Sequence, residues 1–248
     1  MRNRMLNKEV KSDGEKETLR EIPPVSRPKS TARSAYNQMS RWYDWISGSS
    51  EAKYREAGLS ILKPAPGEKI LEIGCATGHS VVDLARAVGD TGFVTGLDLS
   101  EKMAAVSRDR LEENQLSARS LVIQGDGADL PFPACQFDAV FLSFTLELFD
   151  TPELPRVLAE SLRILKSDGR IALVTMDSRN AHSWMIKAYL KLRTRFPRFL
   201  DCRPIPVETL LKEASFLLLS KETYSMYGFP VAVVLAQVQS RDHDSVPS

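Results

Sequence analysis

Three acidic residues stand at matching places in this chain, each at or just past the end of a short apolar run. Glu72 lies in I-L-E-I (70–73), Asp98 closes F-V-T-G-L-D (93–98), and Asp126 follows L-V-I-Q and Gly125. Between the first two lies a glycine-punctuated loop, and the whole opening reads E-x-G-x-x-x-G from Glu72 to Gly78. Glycines at such a turn admit positive φ and let a ligand approach the backbone, while the amides of the following helix start attract electron-rich groups. A dinucleotide fingerprint, G-x-G-x-x-G, would have a glycine where Ala76 stands. Glu72 would also repel a diphosphate but attract a sulfonium or ammonium. The pattern therefore favours a cationic nucleotide cofactor. Asp98, 24 residues after Gly74, falls where a βαβ unit delivers its ribose-binding carboxylate. Asp126 can accept from an exocyclic adenine amine. Cys75, inside the loop, reads as a small filler rather than a nucleophile.

These residues need a sheet to bring them together. From Lys69 onward apolar runs and helical patterns alternate, which predicts an α/β fold with a parallel sheet covered on both faces. Strands are expected near 70–74, 93–98, 120–124, 137–142 and 169–176. Helices are expected at 79–88, 100–114 and 153–165, the second entered through Ser100 with Glu101 in its first turn. Asp168-Gly169 reads as the turn before the strand at Arg170. A helix near 206–214 precedes two apolar runs, 216–226 and 230–238, separated only by Gly228-Phe229-Pro230. So short a connection requires the last strand to run antiparallel to its neighbour. Two segments stand outside the alternation: 35–62, carrying Tyr36, Trp42, Tyr43, Trp45 and Tyr54, and an insertion at 178–206. Both are placed to cover the carboxyl ends of the strands, where such sheets bind ligands.

The 248 residues suffice for one sizeable core. Residues 1–34 form a polar stretch with Pro23, Pro24 and Pro28 and no sustained apolar period, and read as a mobile arm; 240–248 read as a frayed tail. The arm holds nine Lys or Arg and five Asp or Glu up to Arg33, too many acids for a transit peptide, and it lacks the apolar core of a signal peptide. A single domain is expected over 35–239. The net charge of +1 gives no reason to expect a nucleic-acid partner. Cys75, Cys135 and Cys202 are odd in number and unpaired in spacing, which fits a reducing compartment and argues against a metal site. With no run of membrane-spanning length, a cytoplasmic protein is expected.

The loop 70–80, Asp98, the run from Gly125 to Phe149 and the segment 162–176 together resemble the successive motifs of class I S-adenosylmethionine-dependent methyltransferases. With the aromatic entry Y-N-Q-M-S-R-W-Y-D at Tyr36 to Asp44, they look most like the branch that includes the ubiquinone and menaquinone C-methyltransferases. The similarity covers about residues 35–238. It implies a Rossmann-like, doubly wound, seven-stranded and mostly parallel sheet, ordered 3-2-1-4-5-7-6, with an antiparallel last strand and a helical cap. It implies S-adenosyl-L-methionine as cofactor, with Glu72 near the methionine end and Gly74, Cys75, Ala76 and Gly78 lining it. Asp98 would hold the ribose, Leu99 would pack on the adenine, and Asp126 and Gly127 would meet its edge. Ser143 would lie near the methionine moiety, and Tyr36, joined by Tyr43, would close over it. The chain departs from the common form at Cys75-Ala76 and at Ser167-Asp168, where the family more often has a proline and a glycine.

Methyl transfer from a sulfonium is an in-line displacement, so the protein's main task is to align the acceptor and exclude water. A carbon, oxygen or protonated nitrogen acceptor must also lose a proton to a base within hydrogen-bond reach. Tyr43, Asp44, Glu147, His182 and Tyr227 are the candidates, and no local motif ranks them. Tyr43 and Trp42 also read as packing under the cap, and His79 as a solvent-facing or capping residue. The insertion interleaves Lys187, Lys191, Arg193, Arg195, Arg198 and Arg203 with apolar residues. It reads either as an amphipathic helix with a solvated basic face or as a cap facing anionic lipid, guiding a lipophilic acceptor such as a prenylated quinone. The expected activity is methyl transfer to a small lipophilic or aromatic acceptor. The alternative is a regulatory or partner protein that binds the cofactor without turnover. An NAD-dependent oxidoreductase is opposed by Ala76 and Glu72.

Overall fold

The structure is a computed structural model that describes Ile22, Val25, Thr31, Ser34, Asn37 and residues 49–178 and 203–239. Seven strands form one sheet: β1 (Lys69–Ile73), β2 (Phe93–Asp98), β3 (Ser120–Gln124), β4 (Phe137–Ser143), β5 (Leu165–Met176), β6 (Phe216–Met226) and β7 (Phe229–Val238). Their order is β3-β2-β1-β4-β5-β7-β6, and β7 runs antiparallel to both of its neighbours. The other four pairings are parallel. Helices among the described elements are α1 (Ser49–Leu62), α2 (His79–Val88), α3 (Glu101–Glu113), α4 (Leu154–Ile164) and α5 (Val207–Glu213). This is the Rossmann-like, doubly wound architecture that the resemblance implied.

The central strands are apolar on both faces because helices cover both faces. Side-chain alternation sends Leu71, Ile73, Val140 and Leu173 into a core closed by α4 and α5. Ile70, Phe141, Ala172 and Val174 enter the opposite core, under α1, α2 and α3. Glu72 shares the parity of Ile70, so it points to the side of α1 and α2. Helix α1 lies very close to the sheet, and Gly58 makes that possible: a Cβ there would stand 2.5 Å from Val174 Cγ2 and 2.9 Å from Phe141 Cε2.

Two boundaries differ from expectation. Strand β5 begins at Leu165 rather than 169, because Leu165 pairs with Phe137 and Arg170 with Ala139. Lys166 to Gly169 bulge out opposite Asp138, to which Lys166 Nζ donates at 2.6 Å, so Asp168-Gly169 turns the chain inside the strand. Ile22, within the arm expected to be mobile, is buried in the core closed by α4 and α5. No helix among the described residues is long and apolar enough to cross a membrane.

Candidate functional site

A cavity of about 140 Å³ opens at the carboxyl edge of β1, β2 and β4, roughly ten times the space one water molecule needs. It forms at the strand-order reversal between β1 and β4, where doubly wound sheets bind ligands. From the β1 end come Glu72, Gly74, Cys75 and Ala76; from β2, Asp98 and Leu99; from β3 and β4, Asp126, Gly127 and Ser143. The cavity thus gathers nine of the residues expected at a cofactor site. Tyr36 lies outside the described residues.

Gly78 is the exception. It forms no part of the wall; at φ 83° it precedes α2, and a Cβ there would collide with the Ser107 side chain of α3. Its lack of a side chain serves helix packing. Gly74, in contrast, is left-handed (φ 75°) in the wall itself, with the Thr145 side chain against its missing Cβ. Ala76 also adopts the left-handed region, at φ 45°. An L side chain there costs about 1–2 kcal/mol.

Asp98 organises the loop. Its Oδ2 accepts from Ala76 N at 2.9 Å and its Oδ1 from Ser100 N at 2.8 Å. Each oxygen keeps a second acceptor direction for a hydroxyl. Burial raises its carboxyl to about 6, against the pull of those two amides. Ser100 caps α3 by accepting from Met103 N and donates its hydroxyl to Asn37 Oδ1 at 2.6 Å, which ties the N-terminal segment to the same corner. At the opposite end, Asp126 Oδ1 accepts from Ala128 N at 3.0 Å. Gly127 makes room for Ile73 and Phe149, whose atoms lie 2.7 and 2.8 Å from where its Cβ would be.

Glu72 is buried, and burial raises its carboxyl to about 8; the Ser80 hydroxyl and the Arg55 charge pull the other way, while Asp98 and Asp83 add to the rise. Its Oε2 is buried without a hydrogen-bond partner. Burial also holds the Cys75 thiol well above its usual range, so it is a neutral filler; its Sγ fits beside Gly96 of β2.

The proposed bases divide. Glu147, in the short 3-10 turn Leu146–Leu148, is fully buried outside the cavity wall. Its carboxylate accepts from Thr175 Oγ1 (2.8 Å) and Met176 N (3.2 Å), so it holds the end of β5 rather than facing an acceptor. Tyr227 stands on the β6–β7 hairpin with 83% of its surface exposed, outside the wall. Tyr43, Asp44 and His182 lie outside the described residues. His79, expected to face solvent or cap the helix, lines the cavity. Arg203, expected on a basic surface of the insertion, is fully buried; it donates to the carbonyls of Glu147 (3.0 Å) and Phe149 (2.5 Å) and to Thr151 Oγ1 (2.6 Å). It braces the loop after β4, whose Leu148 and Phe149 line the cavity.

Three charged wall residues were not anticipated, Glu153 ahead of α4 and two on α1. Glu51 and Arg55 project from α1 into the cavity, one turn apart and in line with Gly58. Desolvation in the cleft, reinforced by Glu147 and opposed by Arg55, raises Glu51 to about 7. Arg55 Nε is buried and donates to nothing among the described residues. The wall therefore pairs acids, an unsatisfied carboxylate oxygen and an unsatisfied guanidinium nitrogen with apolar surface from Leu99, Met103 and Phe149.

A methyltransferase domain model matches residues 70–169, from β1 into the bulge of β5. The demethylmenaquinone methyltransferase of Geobacillus sp. (strain WCH70) is 30% identical over 164 residues, covering 66% of this chain and 69% of the relative. The chain belongs to the class I S-adenosylmethionine-dependent methyltransferases. Within that family it lies on the menaquinone-like branch. The demethylmenaquinone methyltransferase of Listeria welshimeri serovar 6b is 32% identical over 148 residues, 59% of this chain. That alignment spans 61% of the Listeria relative's length. Among solved structures, the [4+2]-cyclase SpnF shares the methyltransferase fold at a TM-score of 0.70 and 17% identity, over 88% of this chain and 98% of that one.

The family's cofactor suits this cavity. It carries an adenine, a ribose diol, a sulfonium and an amino-acid end. The apolar wall, Asp98, the acidic lining and the two unsatisfied polar atoms offer a chemical counterpart to each.

Proposed function

We propose that this protein binds S-adenosyl-L-methionine in the cavity and directs methyl transfer to a small lipophilic or aromatic acceptor, such as a quinol precursor. The observation that carries the reading is the convergence of Glu72, Asp98 and Asp126 from three successive strand ends on one cavity whose φ-positive Gly74 leaves no room for a side chain. When bound, the cofactor supplies a methyl group already activated on a sulfonium. Asp98 accepts from the ribose hydroxyls, Asp126 and Gly127 border the adenine edge, and Leu99 packs on its face. Glu72 faces the positive charge of the methionine end, and Ser143 lies beside it.

The chain's own contribution to chemistry is alignment, dryness and a proton acceptor. Phe144, Leu148 and Phe149 wall the side nearest β4 with apolar surface. Glu51 feels the opposing charges of Arg55 and Glu147 in the desolvated cleft, and its carboxyl, near 7, is matched to taking a proton from a phenol or enol at neutral pH. It replaces Glu147 and Tyr227 as the proposed base. The relatives' names support a quinone-like acceptor. The basic, aromatic insertion supports a lipophilic one delivered from an anionic membrane surface, and vesicle co-sedimentation that is independent of anionic lipid would remove that part.

Calorimetric titration with S-adenosylmethionine, S-adenosylhomocysteine and NAD tests cofactor choice: both sulfur ligands should bind and NAD should not. Release of S-adenosylhomocysteine with demethylated quinols tests turnover. Cofactor binding without turnover is the second reading, favoured by the sharing of this fold with a cyclase. Binding with no release across a panel of quinol, phenol and lipid acceptors would establish it.

A further inference from the structure

Most of the apolar wall is also core. Ile73, Leu97, Met103 and Phe144 line the cavity, yet nearly all of their surface is buried in the fold. Three large apolar side chains of the wall are only half-buried: Leu99, Leu148 and Phe149. Leu99 follows Asp98 and serves the adenine in the reading above. Phe149 packs on the core closed by α4 and α5, and its ring fills the space beside Gly127. Leu148 belongs to neither described core. It carries uncovered apolar surface in a cavity wall, and contact with an apolar ligand would remove that surface from water.

The turn that carries Leu148 is held from two directions. The Glu147 carboxylate accepts from Thr175 Oγ1 at 2.8 Å and from Met176 N at 3.2 Å, at the end of β5. The carbonyls of Glu147 and Phe149, one on each side of Leu148, accept from Arg203 at 3.0 and 2.5 Å. Thr151 Oγ1 accepts from the same guanidinium at 2.6 Å. Burying a charge is costly, and a well-packed apolar residue of similar volume often stabilises a fold as much. What a guanidinium adds is direction, because its rigid fork presents several donors at fixed angles. Here the fork fixes the peptide groups that flank Leu148.

We propose that Leu148 is a specificity-determining contact for the acceptor and that Arg203 is the positioning residue that fixes it. This rests on the acceptor class proposed above and deepens it by naming the residue that meets the acceptor. Arg203 does not line the cavity and acts through the peptide groups it holds. The wall at Leu148 thereby takes its position from a side chain near the start of α5, far away in sequence.

The test uses the full chain and an oxidised, prenylated naphthoquinone without the ring methyl, titrated with and without saturating S-adenosylhomocysteine, so that no turnover is needed. Leu148→Ala should weaken quinone binding about 10-fold and leave S-adenosylhomocysteine affinity within about twofold. Arg203→Met should weaken the quinone by a similar factor, and Arg203→Lys, which keeps a charged donor, should recover part of the loss. When Leu148→Ala is combined with Arg203→Lys the losses should not add, because the second acts through the first. A purely structural arginine would lower the unfolding midpoint without favouring one ligand over the other. Equal quinone affinity in wild type and Leu148→Ala, additive losses in the double variant, a parallel loss of S-adenosylhomocysteine binding, or no quinone binding by wild type would each overturn the assignment. Leu148→Ala and Arg203→Lys decide even if Arg203→Met does not fold. Quinone binding that depends on Leu148, in a protein that does not bind S-adenosylhomocysteine, would sustain the assignment while the cofactor reading falls.

Discussion

Glu72 makes the sharpest demand on the cofactor reading, because a carboxyl near 8 is about nine-tenths protonated at pH 7. A unit positive charge about 4 Å away, at an effective dielectric of about 20, favours the ionised form by about 4 kcal/mol, or about three pKa units. That would bring the group to about 5. Binding of a cationic cofactor at pH 7 should therefore expel about 0.9 proton from this side chain. Affinity should rise up to about tenfold per pH unit between about 5 and 8 and then level. Calorimetry in two buffers of different ionisation enthalpy measures the proton count. The control is Glu72→Gln, which keeps shape and removes titration; the cofactor's own amino group and the other wall carboxyls titrate in both proteins, so the difference isolates Glu72. Equal proton release by both proteins at pH 7 would refute the placement of Glu72 beside the cation.

Other consequences can be measured directly. Glu51→Gln should retain S-adenosylhomocysteine affinity within a few-fold but lose about 10²–10⁴-fold in turnover of a phenolic or quinol acceptor, with the acidic limb of the pH–rate profile removed. Arg203→Met should lower stability by about 3 kcal/mol, read by denaturant unfolding, since it leaves the buried Glu147 carbonyl and the half-buried Phe149 carbonyl without their donor. Ala76→Gly should raise the thermal midpoint or leave it unchanged, because relief of left-handed strain competes with added unfolded-state entropy. In cofactor-free protein, Glu51, Glu72, Asp98 and Glu147 all sit above their ordinary values. The native state then holds more protons than the unfolded one, so stability should fall as pH rises from about 4 to 8, by up to about 1.4 kcal/mol per unit for each titrating group. Rising stability across that window would contradict the burial of these acids.

The sheet was legible because β1, β2, β4 and β5 carry near-continuous apolar runs, three of them ended by glycine or acid, a signal local to the chain. The antiparallel β7 followed from a hairpin too short for a crossover. Glu72, Asp98 and Asp126 could be placed together because each sits at the end of a strand or just beyond it, so topology alone sets their neighbourhood. Glu51 and Arg55 lay beyond that reasoning: they precede the first strand, and their contact with the cavity depends on how closely α1 lies on β4 and β5. A faint signal existed. Residues 51, 55, 58 and 62 form one stripe of α1, and its last member, Leu62, is buried, so charged groups share a face that packs inward. Gly78 stands off the cavity wall, and Arg203 turns inward, for the converse reason. A glycine in a binding motif can serve helix packing, and an arginine in a basic run can be the one that turns inward; only tertiary contacts separate these cases.

The insertion leaves and rejoins the domain at almost one point. Ser178 N donates to Ile205 O at 3.1 Å, Ile205 N to Met176 O at 3.0 Å, and Asp177 and Ile205 form a parallel bridge. Lys221 clasps the same base by bonding both Asp177 and Glu208. A segment with fastened ends is a replaceable cassette. Doubling such a loop costs only about 0.6 kcal/mol in closure entropy, so its length and sequence can drift with little penalty to the sheet. Lineages could exchange this part while the cavity, lined from the ends of β1 to β4, stays as it was.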